Sequence, residues 1–231
     1  MIPEVKFPSI KEYKILDIDE EFVNLYELGF KCSSEYYKQG IAGAPKFCYC
    51  RKSVAEKLLK AKEDLPNGYS FLIFDAWRPI CVQQRLWNYY RQDIKNKNPE
   101  LNDEELDFKT SFFISKPSYD IWHPSLHNTG GAIDLTIVDD KGKMLNMGTK
   151  FDEFCDRTWT NHYEMYTNDE EIRNNRRLLY EIMTKNGFVN LPSEWWHYEY
   201  GGKFWAYFNN TDALYKGQLQ LPFDYKEFPL I

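Results

Sequence analysis

The stretch Ser125-Leu-His-Asn-Thr-Gly-Gly-Ala-Ile-Asp134, continued by Leu135-Thr-Ile-Val138, decides how the middle of this 231-residue chain folds. In its second half, strongly apolar residues alternate with small or polar ones, and this period of two predicts a half-buried β-strand. The glycine pair before the strand allows a sharp bend, because glycine adopts positive φ angles without steric cost. We therefore expect His127, on the turn before the bend, to meet Asp134 across it.

Asp134 is a carboxylate between two apolar neighbours, Ile133 and Leu135. A buried charge there is costly unless a partner neutralises it, and a metal ion would be such a partner. The alternative is a carboxylate on the solvent face of a half-exposed strand. A lone histidine such as His127 is more often structural than a ligand, so neither residue alone indicates a metal site.

Glu194-Trp-Trp-His197 supplies the two residues that a catalytic zinc site would still lack. A hydrolytic zinc ion typically has three protein ligands with nitrogen or oxygen donors, an open position for water and a carboxylate that takes the proton of that water. His127, Asp134, His197 and Glu194 match these roles in number and type. The sequence therefore predicts a metallopeptidase.

The spacing within Glu194-Trp-Trp-His197 leaves the local structure open. The alternation of a strand would place Glu194 and His197 on opposite faces, whereas a turn or a bulge would bring them together. Trp195 and Trp196 could shield a metal from bulk water or could simply fill the core.

Phe74-Asp-Ala-Trp-Arg-Pro79 places an arginine directly after an apolar run, residues 69–75, that predicts a buried strand. A guanidinium group at the end of such a strand can reach into a cleft and hold developing negative charge. The alternative is a surface ion pair between Asp75 and Arg78.

Three helices are predicted around these strands. The first covers residues 53–65, with Ser53 at its start; the second begins at Pro79 and continues through Tyr90. The third begins at Asn168 as its cap, with Glu171 three residues on, and ends at Lys185 before Asn186-Gly187. Helices and short strands mix without the regular alternation of a parallel sheet, so the predicted fold class is α+β, in a single domain over residues 1–231.

The composition favours a folded protein that acts on a small polar substrate. Aromatic residues make up 17% of the chain and run from end to end, which argues against disorder. The net charge of -6 is mild and dispersed, so nucleic acid and anionic membranes are poor candidate partners. No segment approaches the ~20 apolar residues of a membrane span. The N-terminal residues also lack the pattern of a secretory signal, and together these observations predict a cytoplasmic protein.

Five cysteines without a C-x-x-C pair are typical of a reducing compartment and do not suggest a disulfide framework. Cys48 and Cys50 could ligate a metal, but alternate cysteines on one strand face more often fill a core. A cysteine hydrolase that pairs Cys81 or Cys155 with His123 or His162 has no supporting local motif.

Four motifs together resemble a known family, the zinc D-alanyl-D-alanine dipeptidases of the VanX type. The pattern S-x-H-x-x-G-x-A-x-D is matched by Ser125, His127, Gly130, Ala132 and Asp134, and E-x-W-H by Glu194, Trp196 and His197. The pattern D-x-[YW]-R-P is matched by Asp75, Trp77, Arg78 and Pro79, and M-G-[ST]-x-F-D by Met147, Gly148, Thr149, Phe151 and Asp152. An early tyrosine segment of the family corresponds to residues 25–30, with glycine where asparagine is expected.

The resemblance implies one zinc ion per chain, bound by His127, Asp134 and His197. It implies Glu194 as general base and Arg78 as transition-state stabiliser. It further implies that the substrate, the dipeptide D-Ala-D-Ala, is held by Ser125, Asp152 and Tyr26. The implied fold is of the Hedgehog and D,D-peptidase type, with a central, mostly antiparallel sheet flanked by helices.

Two other functions fit the same residues. The first is a D,D-carboxypeptidase or endopeptidase that acts on longer peptidoglycan peptides. The second is a non-catalytic binding module that holds zinc, since folds can outlive their activities. The presence of Glu194 and Arg78 beside a complete ligand set argues against the binding module. Oligomeric state stays open.

Overall fold

The computed structural model describes residues 1–4, 13–112, 114–153, 155–165, 169–227 and 229. Its strands are β1 (Phe22–Asn24), β2 (Lys31–Cys32), β3 (Tyr49–Arg51), β4 (Ser70–Asp75), β5 (Ala132–Val138), β6 (Val189–Asn190) and β7 (His197–Glu199). Its α-helices are α1 (Glu35–Lys38), α2 (Lys52–Glu63), α3 (Ile80–Lys97), α4 (Asp103–Ser111), α5 (His162–Met165), α6 (Glu170–Lys185) and α7 (Lys203–Asn209). Two short 3-10 turns cover Leu126–Thr129 and Asp156–Thr158.

A five-stranded sheet in the order β2-β4-β5-β7-β6 forms the centre of the molecule. β2 pairs with β4 in parallel, and all other pairings in this sheet are antiparallel. One face of the sheet packs against apolar residues of α2 and α6, among them Leu58 and Leu179. The α+β class and the mostly antiparallel sheet predicted above are therefore confirmed.

β5 differs from the prediction in its burial. All seven of its residues are buried, so the strand is covered on both faces and is not half-exposed. Ile133 and Leu135 contribute to the core beneath α2 and α6. The opposite face is covered by the 3-10 turn that carries His127 and by Arg78, both close to Asp134. The alternative of a solvent-facing Asp134 is therefore wrong, since this residue is only 1% exposed.

The register of β4 against β5 shifts between Ile73 and Asp75. Without this irregularity, Asp75 would share the face of Ile73, which lies in the apolar core. Bulges re-aim side chains in this way. The shift pairs Asp75 with Asp134, on the face that carries the polar cluster.

The predicted helices are confirmed with small shifts at their ends. Ser53 does not begin α2: both its backbone N–H and its hydroxyl donate to Glu20 Oε2, and the helix begins one residue earlier. Asn168, the predicted cap of α6, lies outside the described residues. The side chain of Asp169 caps that helix by accepting a hydrogen bond from Ile172 N.

The chain after α7 bonds to segments far earlier in the sequence. Leu16 donates its backbone N–H to Ala213 O, and Gln218 donates its N–H to Asn128 O. Leu221 packs with Trp77 in a small apolar cluster.

Cys48 and Cys50 are buried in the core, as predicted. Within the described ranges, no helix has the length and apolar character needed to cross a membrane.

Candidate metal centre and active site

His127, Asp134 and His197 converge on one point from three different elements. His127 lies on the 3-10 turn, Asp134 in the middle of β5, and His197 at the start of β7, directly opposite Asp134 in the strand register. His127 Nε2 is 3.2 Å from Asp134 Oδ2, and His197 Nδ1 is 3.0 Å from Asp134 Oδ1. One ligand atom from each residue lies within 4.8 Å of the other two.

Backbone contacts fix the ring of His127. Its Nδ1 lies 2.7 Å from Ala76 O, and donation of the Nδ1 proton to this carbonyl leaves Nε2 as the free donor atom. Gly130 has a φ of +74°, which closes the turn. A side chain at Gly131 would collide with the backbone oxygen of Tyr200. The glycine pair thus permits the bend that the sequence predicts.

The donor set fits a zinc ion. Two imidazoles and one carboxylate are ligands typical of catalytic zinc sites, and all three residues are buried. Burial by itself would raise the pKa of Asp134, but His127 and His197 outweigh this effect and hold the pKa well below its usual range. Asp134 is therefore ionised, as a ligand must be. No other group of three potential ligand residues occurs in the part of the chain that the structure describes.

Glu194 lies beside this cluster on the turn between β6 and β7. Glu194 N donates to Leu191 O and His197 N donates to Glu194 O, so the segment is a turn and not a continuing strand. This turn brings Glu194 Oε2 to 3.8 Å from His197 Nδ1. Burial raises the pKa of Glu194 to about 7, although His197 lowers it. Trp195 and Trp196 are buried in the core.

Arg78 is anchored by four other residues at the edge of the cluster, and one of them is Tyr36, whose hydroxyl accepts a hydrogen bond of 3.2 Å from Arg78 Nη2. Its Nε and Nη2 each lie 2.8 Å from Asp75 Oδ2, and its Nη1 donates to Gln83 Oε1. Its Nη2 also lies 3.6 Å from Asp134 Oδ2. The predicted alternative, a surface ion pair between Asp75 and Arg78, is wrong. The two residues do form an ion pair, but it is buried, since Arg78 is 6% exposed and Asp75 is 8% exposed.

Arg78 keeps its charge despite burial. Burial lowers the pKa of a guanidinium group, but the surrounding acidic groups, led by Tyr36 and Asp75, raise the pKa of Arg78 above its ordinary value. A permanently charged, well-anchored guanidinium is suited to stabilising a negative charge that develops in the cleft.

Asp152 lines the same cleft as the candidate ligands. Its backbone has a φ of +56°, in the left-handed region, and it accepts a hydrogen bond of 2.8 Å from the hydroxyl of Tyr36. Burial raises the pKa of Asp152 to about 8, and the nearby Arg78 opposes only part of this rise. Tyr36 and Gln83 both line the cleft. Neither was found from sequence, because an isolated Tyr or Gln outside a motif carries no signal.

Two residues implied by the resemblance are not part of the cleft lining. Tyr26 lies in the turn after β1, is 59% exposed and stacks on Phe47. Ser125 is buried directly before the 3-10 turn, and its hydroxyl has no hydrogen-bond partner among the described residues. Their roles stay predictions. His123, considered for a cysteine hydrolase, is an exposed residue that pairs with Asp120.

A larger cavity of about 810 Å³ lies elsewhere, between the residues around Trp159 and the end of α6. Its lining includes Tyr180 and Phe208 but none of the candidate ligands. We assign the chemistry to the smaller cleft, because the charged and metal-ligating side chains converge there.

The sequence matches a family model described as D-Ala-D-Ala dipeptidase over residues 26–215. A D-alanyl-D-alanine dipeptidase from Synechocystis sp. is 31% identical over 68% of this chain and 71% of the relative. An enzyme of the same name from Escherichia coli is 30% identical over 80% of this chain and 84% of the relative. A solved structure of a vancomycin-resistance D,D-pentapeptidase, a VanY variant in complex with Zn(II), is 16% identical. It covers 73% of this chain and 83% of that one, with a TM-score of 0.44.

Proposed function

This chain belongs to the D-Ala-D-Ala dipeptidase family, and from that premise we propose that it hydrolyses the dipeptide D-Ala-D-Ala to two D-alanine molecules. The observation that carries the proposal is the convergence of His127, Asp134 and His197 beside Glu194. These three residues would hold a zinc ion that activates a water molecule, and the carboxylate beside them is the base that hydrolysis requires.

One zinc ion per chain would be held by the two histidines and Asp134. When bound, zinc lowers the pKa of its water molecule to about 7 and polarises a carbonyl oxygen. The remaining chemistry belongs to the side chains around it.

Glu194 acts as the general base and then as the general acid. Its carboxylate accepts a proton from the attacking water and returns that proton to the amine that leaves. A group that both accepts and donates works best with a pKa near the ambient pH, and burial gives Glu194 a pKa of about 7. The nucleophile is water and not a side chain of the protein.

Arg78 holds the negative charge that develops on the carbonyl oxygen of the substrate. Asp75 and Gln83 fix the orientation of its guanidinium before the substrate arrives, so that little reorganisation is needed during the reaction. Arg78 thus stabilises the transition state electrostatically, and Glu194 carries out the proton transfers.

Asp152 selects for a free amino group at the N-terminus of the substrate, with Ser125 as a second contact to that group. Tyr26, which stacks on Phe47 outside the cleft lining, is proposed only as a further substrate contact. Asp152 is buried in the cleft lining, and a substrate ammonium group next to it would favour its ionised form. A carboxylate at this position attracts a free ammonium group, whereas an acylated amino group carries no positive charge for it to attract. This preference is what would make the enzyme a dipeptidase and not an endopeptidase.

We further propose that residues 1–231 act as a single catalytic domain in the cytoplasm. The described cysteines are all free thiols, as expected in a reducing compartment. The proposed partner is the dipeptide alone, without nucleic acid or membrane, because the small negative charge offers no basic surface for either.

The test is D-alanine release by the zinc-loaded protein. The substrates are D-Ala-D-Ala, L-Ala-L-Ala, N-acetyl-D-Ala-D-Ala and a pentapeptide that ends in D-Ala-D-Ala. Release of D-alanine from D-Ala-D-Ala but from none of the other substrates, and its loss in Glu194→Ala, would support the proposal of a dipeptidase. Release from the acetylated substrate or the pentapeptide would identify a carboxypeptidase. Stoichiometric zinc without release from any substrate would indicate a binding module.

A further inference from the structure

Asn190 lies at the base of the turn that carries Glu194 and His197. It is the last residue of β6, pairs with Tyr198 of β7 and is 7% exposed. Its side-chain Nδ2 donates two hydrogen bonds: one to Glu194 O at 3.0 Å and one to His197 O at 2.9 Å. One amide group therefore joins the backbone carbonyls of the two residues.

The orientation of this amide is fixed from its other side. Asn190 Oδ1 accepts a hydrogen bond of 2.7 Å from the hydroxyl of Thr160, which is 3% exposed. Thr160 also donates its backbone N–H to Pro192 O, inside the same turn. A flipped amide would place its oxygen against two carbonyl oxygens, so only the observed orientation satisfies all the groups.

The separation of Glu194 and His197 depends on this turn. Strand geometry would send the two side chains to opposite faces, whereas in this turn His197 N donates to Glu194 O and Leu191 N donates to His197 O. The Asn190 amide bonds both carbonyls at once. A misplacement of about 1 Å in a catalytic group can cost 100-fold in rate. The distance between Glu194 and His197 is therefore expected to affect the rate.

We propose that Asn190 is a positioning residue that sets the distance between Glu194 and the metal ligand His197. It acts through their peptide carbonyls and touches neither the metal nor the substrate. The inference rests on the proposed function, since it assigns Glu194 and His197 the roles given there.

The test compares Asn190→Ala with a matched control, Asn186→Ala. Asn186 Nδ2 also donates two hydrogen bonds, to Asp64 Oδ2 and Ile182 O, but at the end of α6. Both variants lose two donated bonds; Asn190→Ala also loses the bond accepted from Thr160, so it is expected to melt at the lower temperature of the two. The zinc dissociation constant is measured by competition with a chromogenic chelator, and kcat and KM are measured on D-Ala-D-Ala.

We expect Asn190→Ala to weaken zinc binding by about 10 to 100-fold and to lower kcat by a similar factor, as for other residues that orient metal ligands. KM should change much less than kcat. Asn186→Ala should keep the zinc affinity and kcat of the unmodified protein. Equal zinc affinity and equal kcat in the two variants, measured well below both melting temperatures, would overturn the proposal.

A second variant covers the case in which Asn190→Ala does not fold. Thr160→Val keeps the shape of the side chain and removes the hydroxyl that orients the Asn190 amide. We expect it to lower zinc affinity by about fivefold, which corresponds to the net free energy that one neutral hydrogen bond contributes. Unchanged zinc affinity in this variant would count against the proposal. If the unmodified protein binds zinc but cleaves no dipeptide, the proposed function fails, whereas the zinc measurements still decide the role of Asn190.

Discussion

His127 Nε2 lies 3.2 Å from His197 Nδ1, although the two residues are 70 positions apart in the chain. Two ring nitrogens in such contact require a shared proton or a cation between them, because their lone pairs repel each other. Asp134 lies within 3.2 Å of both nitrogens and adds the negative charge that favours a cation. The folded protein therefore holds together three groups that a metal ion would stabilise.

Removal of the metal should lower the stability of the protein. A ligand that binds only the folded state adds about 2.7 kcal/mol to the free energy of unfolding at 100 times its dissociation constant. We expect a chelator to lower the melting temperature and zinc to restore it. Asp134→Asn should lose most of this response, whereas Asp140→Asn, at an exposed site after β5, should keep it. An equal zinc response in Asp134→Asn would exclude Asp134 as a ligand.

Glu194→Gln should bind zinc but turn over slowly. The amide cannot accept the proton from water, and loss of a general base typically costs about 100 to 10,000-fold in rate. The measurement is kcat on D-Ala-D-Ala together with zinc content by elemental analysis. Glu181→Gln, on the exposed side of α6, is the matched control and should behave as the unmodified protein. Normal turnover in Glu194→Gln would reject Glu194 as the base.

Arg78→Ala should lose both turnover and stability, for separable reasons. Loss of one oxyanion donor costs about 100 to 1000-fold in kcat. The variant also leaves Asp75 buried without its partner, which costs about 3 to 5 kcal/mol in the free energy of unfolding. Adding Asp75→Asn should recover much of the stability and none of the turnover, while zinc stays bound. If turnover recovers together with stability, Arg78 has only a structural role.

Asp152→Asn should weaken the preference for a free amino group. A hydrogen bond to a charged group contributes about 1.5 to 3 kcal/mol, which corresponds to roughly 10 to 100-fold in KM. We expect KM for D-Ala-D-Ala to rise by this factor, and the ratio of activities on free and N-acetylated substrate to fall. An unchanged ratio would show that another group reads the substrate ammonium.

Glu199 should make the protein less stable as the pH rises. It is completely buried, neither carboxylate oxygen makes a hydrogen bond of ordinary geometry to a described residue, and burial raises its pKa to about 7. A pKa raised in the folded state means that the folded protein binds the proton more tightly than the unfolded chain does. The stabilising contribution is therefore complete below the ordinary pKa of a glutamate and is lost as the pH rises through about 7.

The loss amounts to at most about 3 kcal/mol in the free energy of unfolding. Urea unfolding of the metal-free protein at pH 5 and pH 8 measures it. Glu199→Gln carries no titratable group and should show a smaller difference between the two pH values. The same difference in both proteins would place the pH dependence elsewhere.

The motifs predicted much of the candidate site because their information is local. The alternation in residues 132–138 predicts β5, and the glycine pair predicts the bend that returns His127 to Asp134. The four motifs also predicted the membership of the family that the comparison confirmed. Helix ends were harder to predict, because Ser53 bonds to Glu20, a residue 33 positions away.

The sequence by itself determined which residue types carry the chemistry and which short segments form the strands and turns. Only the tertiary structure decided that β5 is buried on both faces, that a register shift turns Asp75 toward Asp134, and that Tyr36 bonds to Asp152. It also decided that a turn, braced by Asn190, brings Glu194 to His197. The physical reason is that a repeating pattern specifies the geometry of neighbouring residues. Whether a strand is buried on both faces, and how far apart a turn holds two side chains, depend on contacts with segments far along the chain.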